Sequence, residues 1–351
     1  MSPSGALLSP RQPAQRVLIV DDSAVARAVL ARMATEAGAE VSATLPDVPQ
    51  ALSYLSTNIV DLILLDLEMP GIDGLTGLPD LLAAGKGAKV LVVSSAAGEG
   101  AAATVQALAL GAADTLVKPG RTVTSGNFAQ ALGNRIARLA DPMALPAVPS
   151  ARSPAALPNQ SYDLVAIGAS TGGIHALHNL LRAIPASFRG PIAVTQHLPS
   201  AFMPYFTSQL AAATGRPCQP AADRLALRDG QIVVAPGDAH MIAVALPNGR
   251  AATRLSQAPV PNGNMPSVDP MFASLADCFG PRLLAIVLSG MGRDGLEGAA
   301  KVRAAGGTVI VQDEASSVVW GMPGAVVAAG LADAVLPPEG IGAFIASGAR
   351  A

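Results

Sequence analysis

Aromatic residues are scarce in this 351-residue chain: Phe, Trp and Tyr make up 3% of it, although 50% of its residues are hydrophobic. Its core must be built mainly from Ala, Val, Leu and Ile, a composition that suits layered helices and sheets. Cysteine is scarcer still. Cys218 and Cys278 cannot make a disulfide framework, so the expectation is a cytoplasmic protein whose two thiols are simply buried. Excess charge is missing too. A formal net charge of −2 gives no electrostatic footprint for nucleic acid or for an anionic bilayer. No apolar run is long enough to span a membrane: the stretch 318–331 is broken by Pro323 and three glycines. Direct membrane insertion is therefore not expected. Residues 1–15 carry Pro3, Pro10 and Pro13 without an apolar segment behind a basic flank, so a disordered tail is expected there in place of a signal peptide.

What is present suggests two domains of ordinary size. Between Asp141 and Gln160 lie Pro142, Pro146, Pro149, Pro154 and Pro158, which prevent a helix and give a semi-extended spacer. The expected division is a first domain over 16–140, a linker over 141–160 and a second domain over 161–351.

The first domain alternates strand and helix. Val17–Val20 and Ile59–Leu65 are apolar strands, and 24–37 reads as a helix stopped by Gly38. Such alternation implies an α/β doubly wound parallel sheet that binds ligands at the carboxyl ends of its strands. Asp21, Asp22 and Asp66 fall at those ends. Three converging carboxylates stay ionised only if a cation neutralises them, and an all-oxygen site with room for water suits Mg²⁺. Ser94 and Lys118 follow two further strands, and a hydroxyl and an ammonium are what a transferred phosphoryl group needs. Gly77 and Pro79 make the helix after Asp73 poor by propensity.

The second domain opens with Asp163-Leu-Val-Ala-Ile-Gly-Ala-Ser-Thr-Gly-Gly173, a buried strand delivered through small residues into a helix. A dinucleotide-binding turn needs a second glycine where Ser170 stands. The run instead fits Gly168-x-Ser170-x-Gly172, a turn that exposes a serine hydroxyl beside helix N-terminal amides. His197 and Asp294 follow the strands predicted at 191–195 and 284–288, so both should share one sheet edge with Ser170. A serine needs a base, and the base needs a carboxylate that fixes its tautomer. The order Ser, His, Asp disfavours the common α/β-hydrolase arrangement, which runs Ser, acid, His. His175 and His178 share a helix at a spacing that could hold a metal, but no carboxylate stands nearby; His240 reads as structural or as a site wall. Phe202, Phe206 and Leu210 lie at helical spacing, which fits either an exposed groove for a partner helix or plain core.

The motifs carry a family resemblance over most of the chain. Val17-Leu-Ile-Val-Asp-Asp-Ser23, Leu65-Asp-Leu-Glu-Met-Pro-Gly71 and Val117-Lys-Pro119 resemble the receiver domain of two-component response regulators, a flavodoxin-like fold. That resemblance implies phosphorylation of Asp66 by a histidine kinase, with Asp21 and Asp22 holding Mg²⁺ and Ser94 and Lys118 forming the switch. Ile167-Gly-Ala-Ser-Thr-Gly-Gly173, Gln196-His-Leu-Pro-Ser-Ala-Phe202, Ala235-Pro-Gly-Asp-Ala-His-Met241, Pro266-Ser-Val-Asp269, Leu288-Ser-Gly-Met-Gly-Arg-Asp-Gly295 and Trp320-Gly-Met-Pro-Gly324 resemble the catalytic domain of chemotaxis methylesterases, a Rossmann-like fold.

This second resemblance implies Ser170 as nucleophile, His197 as general base, Asp294 as its acid, and the Met291 amide at the oxyanion, with Thr171 shaping the nucleophile's surroundings. The implied partners are methyl-accepting chemoreceptors, whose cytoplasmic helices carry the glutamyl methyl esters and glutamines to be hydrolysed. No cofactor is implied for the hydrolysis. Two residues depart from the family pattern: Thr115 stands where an aromatic commonly reports phosphorylation, and Met265 where a basic residue usually precedes Pro-Ser-Val-Asp. The alternative function is a phosphorylation-dependent adaptor that binds receptors without catalysis.

Overall fold

The computed structural model describes residues 14–94, 99–118, 125–140, 161–247 and 249–348. The expected tail lies outside the described residues except for Ala14 and Gln15, and the expected linker lies wholly outside them.

The first sheet contains β1 (Arg16–Val20), β2 (Glu40–Leu45), β3 (Leu62–Asp66), β4 (Lys89–Ser94) and β5 (Asp114–Val117). All its pairings are parallel and the strand order is β2-β1-β3-β4-β5. The intervening helices are α1 (Ala24–Glu36), α2 (Val48–Thr57), α3 (Gly74–Ala84), α4 (Glu99–Leu110) and α5 (Ser125–Ala140). Because side chains alternate along a strand, Ile63 and Leu65 enter one core while Leu62 and Leu64 enter the other. Burial on both faces explains the unbroken apolar runs seen in the sequence.

One strand boundary and one helix depart from what the sequence suggests. Ile59 stays outside β3 and is exposed, because the apolar run begins before the chain reaches its parallel partners. The poor helix of 74–84 forms nevertheless, with Pro79 inside it. Asp73 caps it by accepting from the Thr76 amide at 2.7 Å, while Leu78 and Leu81 are completely buried. Capping and burial together outweigh propensity here. Gly77 is required by packing: a Cβ would come within 2.6 Å of a Val48 methyl.

The second sheet runs β14-β13-β12-β6-β7-β9-β8, again parallel throughout. Its strands are β6 (Leu164–Ala169), β7 (Ile192–Gln196), β8 (Cys218–Pro220), β9 (Ile232–Val234), β12 (Leu283–Val287), β13 (Thr308–Gln312) and β14 (Ala334–Leu336). An antiparallel ribbon of β10 (His240–Ala245) and β11 (Ala251–Ser256) stands apart from the sheet. The helices are α6 (Gly173–Ala183), α7 (Met203–Thr214), α8 (Val268–Phe279), α9 (Leu296–Ala304), α10 (Gly321–Ala328) and α11 (Pro338–Gly348). From β6 the order proceeds towards β7 on one side and towards β12 on the other, so the carboxyl end of β6 is a topological switch point.

Phe202, Phe206 and Leu210 are completely buried, which makes them core and removes the groove reading. Helix α4 of the first sheet packs against α6 and α7 of the second, and the two halves share one continuous apolar cluster. Among the described residues no helix is long and apolar enough to cross a membrane.

Gly168 in β6 lets α8 approach the sheet, because a Cβ there would collide with the γ-carbons of Val268. Gly168→Ala should cost about 1–3 kcal/mol through overpacking. Denaturant unfolding would show a lower midpoint with an unchanged slope, and a wild-type midpoint would contradict this packing.

Candidate active site

Ser170 leaves β6 in a turn fixed from both sides. Its amide donates to the Ser289 carbonyl at 3.0 Å, and its own carbonyl accepts from the Gly173 amide at 2.8 Å and from the Gln196 side chain at 2.9 Å. Gly172 adopts φ +74° at the helix N-cap, and a Cβ there would strike the Val318 side chain. The turn thus requires glycine for conformation and for space. Gly290, on the facing loop, is equally constrained: a Cβ would meet the Met322 sulfur and come within 2.8 Å of the Ser170 Cβ.

His197 follows β7, held by its amide on the Ala169 carbonyl at 3.0 Å. Asp294 lies in the loop after β12 and is buried. The three side chains expected from the sequence meet: His197 Nδ1 stands 3.1 Å from Ser170 Oγ, and His197 Nε2 stands 2.7 Å from Asp294 Oδ2. Asp294 accepts further bonds from Ser267 Oγ at 2.7 Å, the Val268 amide at 2.9 Å and the Asn262 side chain at 2.8 Å. Burial pushes its carboxyl up, but the His197 hydrogen bond and charge, with those donors, outweigh burial and bring it down to about 2. An anionic Asp294 keeps the imidazole proton on Nε2, which leaves Nδ1 as the acceptor facing the serine.

Ser170, Thr171, His197, Met265, Met291 and Arg293 all line one cleft of about 550 Å³. The backbone amides of Thr171 and Met291 have no acceptor among the described residues. Two such donors at the mouth of a helix N-terminus suit an oxygen that acquires negative charge.

His175 and His240 are engaged in hydrogen bonds away from Ser170. His175 directs Nδ1 to the Ala109 carbonyl at 2.8 Å and Nε2 to Asn179 at 3.2 Å, so both ring nitrogens are engaged. Burial and then the charge of His175 push the neighbouring His178 down, away from protonation. His240 accepts from the Ser267 amide at 2.9 Å on Nδ1 and donates to the Ala258 carbonyl at 3.0 Å from Nε2. It therefore props the serine that holds Asp294. Ser267 lies in a motif visible in the sequence, whereas Asn262 comes from a loop with no periodicity or motif to mark it.

In the first domain Asp21, Asp22 and Asp66 bring carboxylate oxygens within 4.8 Å of one another. Lys118 Nζ lies 2.6 Å from Asp66 Oδ2 and 3.4 Å from Asp21 Oδ2. One ammonium does not neutralise three carboxylates. Burial first, and then the Asp21 charge, push Asp66 up despite Lys118. Asp21 Oδ2 is buried with the Lys118 ammonium at 3.4 Å as its ion-pair partner and no closer donor, which leaves it able to ligate a cation. The donor set fits a hard divalent ion such as Mg²⁺. Ser94 Oγ is hydrogen-bonded to Thr104 Oγ1 of α4.

The comparisons with known proteins divide at the same place as the two sheets. The response regulator receiver domain family matches residues 17–124, and the CheB methylesterase family matches residues 165–345. The chain is 43% identical to protein-glutamate methylesterase/protein-glutamine glutaminase 2 of Caulobacter vibrioides, over 95% of this chain and 99% of that protein. It is 40% identical to the corresponding protein 1 of Paramagnetospirillum magneticum, over 94% and 95%. The solved catalytic domain of Thermotoga maritima CheB methylesterase superposes with a TM-score of 0.51 at 36% identity, covering 53% of this chain and 98% of that one. The two sheets, the composition of the cleft at the second and these relationships agree, and the chain belongs to the CheB methylesterase family, with a response regulator receiver domain ahead of the esterase domain.

Proposed function

We propose that residues 161–351 hydrolyse glutamyl methyl esters and glutamine amides through Ser170, His197 and Asp294, and that residues 16–140 control access to them. The protein is a protein-glutamate methylesterase/protein-glutamine glutaminase of chemotaxis adaptation. The observation that carries the residue assignment is the continuous hydrogen-bonded path from Ser170 Oγ through His197 to Asp294.

In this reading Ser170 Oγ attacks the δ-carbonyl carbon of the receptor side chain and gives its proton to His197 Nδ1. The Asp294 carboxylate stabilises the imidazolium that results. The amides of Thr171 and Met291 take the negative oxygen. Collapse of the tetrahedral intermediate breaks the bond to methoxide or amide nitrogen, which leaves as methanol or ammonia with the proton from His197. Water then attacks the glutamyl-serine ester with His197 again as base, which regenerates Ser170 and releases glutamate. The substrate is a side chain on the cytoplasmic helices of methyl-accepting chemoreceptors.

Contacts between the domains support control by the receiver. The Gly172 amide, two residues past the nucleophile, donates to the Ala113 carbonyl at 2.8 Å. The Asp114 carboxyl, pushed up by burial and held by Arg135, lies where the Thr171 hydroxyl helps to keep it charged. Arg135 and Arg138 of α5 line the cleft itself, and Val319 of the esterase domain is buried in the receiver's core.

Asp66 is the acceptor for a phosphoryl group from a histidine kinase, with Asp21, Asp22 and Asp66 as the ligands of Mg²⁺. The ion supplies charge neutralisation when bound. A phosphoryl group on Asp66 competes with Thr104 for the Ser94 hydroxyl and with Asp66 for Lys118. Loss of the Ser94–Thr104 bond loosens α4, whose Ala109 carbonyl holds His175. Thr115 is buried with its hydroxyl unpaired, so the aromatic rotamer of other receivers has no counterpart here and α4 carries the signal instead.

Ser170→Ala should lower release of methanol from methylated receptor membranes on the order of a million-fold. Unchanged release would refute the nucleophile. A folded fragment lacking residues 1–140 should turn over faster than the unphosphorylated full chain, and an equal or slower rate would refute cover by the receiver. Asp66→Asn should abolish the increase that acetyl phosphate gives to the full chain; a retained increase would place phosphorylation elsewhere.

A further inference from the structure

Behind the triad the structure brings together two carboxylates that the reaction described above leaves unequal. Asp294 faces His197, whereas Asp269, in the first turn of α8, does not touch the imidazole. We propose that Asn262 and Asp269 are positioning residues of the hydrolysis: the Asn262 side-chain amide ties the two carboxylates into one unit and anchors the wall of the substrate cleft on it. This rests on the Ser170, His197 and Asp294 assignment.

The geometry of Asn262 is specific. Its Nδ2 lies 2.8 Å from Asp294 Oδ1, 3.0 Å from Asp269 Oδ2 and 3.1 Å from Ser267 Oγ. Ser267 Oγ uses its own proton on Asp294 Oδ1 at 2.7 Å, so towards Asn262 it can only accept. The carbonyl of the same side chain accepts from the Asn264 amide at 2.9 Å and thereby shapes the loop. Asn264 and Met265, immediately after that turn, line the cleft in which Ser170 and His197 lie. One side chain thus spans from the substrate-facing loop to the carboxylate that orients the base.

Asp269 completes the arrangement. Its Oδ1 accepts from the Gly298 amide at 2.7 Å, in the first turns of α9, where helix dipole and amide both favour an anion. Its own amide donates to Asp294 Oδ1 at 3.2 Å. Asp294 is the charged group facing it, with His197 beyond, and Asn262 and Gly298 face it as dipoles. Two like charges this close cannot ionise independently. Burial, and then the charge of Asp294, hold Asp269 up at about 6, while Asp294 is brought down to about 2. When the pair binds a proton, the proton therefore goes to Asp269 and the triad keeps its anion. Above that range Asp269 adds a second negative charge behind the imidazolium.

The test uses the full-length protein activated with acetyl phosphate, acting on methylated receptor membranes, with kcat and KM measured between pH 5 and 8. Asn262 is itself exposed but donates to the buried Asp294, so Asn262→Ala should still fold, with a melting temperature lowered by no more than about a few degrees. It should lower kcat about ten- to a hundred-fold with KM changed less than about twofold, as displacement of a base by a fraction of an ångström does. Asn262→Asp, nearly the same shape, should lose more, because it sets a third carboxylate against Asp294. Asp269→Asn should lower kcat and remove from the rate profile an ionisation near pH 6. Wild-type kcat in both Asn262→Ala and Asp269→Asn, or a lower melting temperature with kcat per folded molecule unchanged, would overturn the proposal. Ser170→Ala in parallel separates the two failures: activity that survives it overturns the triad and the proposal together, whereas wild-type rates at 262 and 269 beside a dead Ser170→Ala overturn the proposal alone.

Discussion

The carboxylate of Asp294 is the group on which the catalytic half of the protein depends. It is buried at the carboxyl end of a parallel sheet, where an isolated charge would be driven to neutrality. Six surrounding groups oppose that: the His197 ring, the amides of Val268, Asp269 and Gly295, the Ser267 hydroxyl and the Asn262 side-chain amide all donate to it. The same bonds reach back into the fold. Val268 stands where Gly168 has no side chain, Ser267 is held by His240, and β6 and β12 are adjacent in the sheet. In the proposed mechanism a charge kept in place by so many fixed dipoles orients the imidazole without reorganisation during the reaction, which is how a preorganised site lowers a barrier.

The receiver engages this assembly at the turn after the nucleophile. Polar contacts at and beside that turn, a carbonyl on the Gly172 amide, a carbonyl on His175 and a carboxylate beside Thr171, border the apolar packing of α4 on α6 and α7. Polar contacts of that kind suit a switch, because each can be exchanged for water when the domains part. Moving such an equilibrium from almost fully closed to almost fully open takes about 5.5 kcal/mol of differential stabilisation. In the proposed switch a phosphoryl group rearranges Ser94, Thr104 and Lys118; Ser94 is bonded to Thr104 of α4, and α4 packs directly on α6.

Much of this was legible in the residues alone. The strand-end aspartates of the first sheet and the Gly168-x-Ser170-x-Gly172 turn announce themselves because parallel sheets put their chemistry at carboxyl ends. His197 and Asp294 were found by the same rule, and the structure brings both to Ser170. Asn262 was invisible, since its place is set by a loop whose path depends on the β10–β11 ribbon and on α8. Pro79 misled propensity because Asp73 and two buried leucines compensate for it. Phe202, Phe206 and Leu210 had a spacing that fits a groove and a core equally well, and only burial decides between them.

The central claim is that Ser170 is a reactive nucleophile covered by the receiver. It is tested most directly by the rate at which a serine-directed fluorophosphonate labels the full-length protein, with the modified peptide identified by mass spectrometry. The account predicts slow labelling at Ser170 that accelerates when acetyl phosphate and Mg²⁺ are added. Labelling at another residue, or a rate at Ser170 that phosphorylation leaves unchanged, would contradict it.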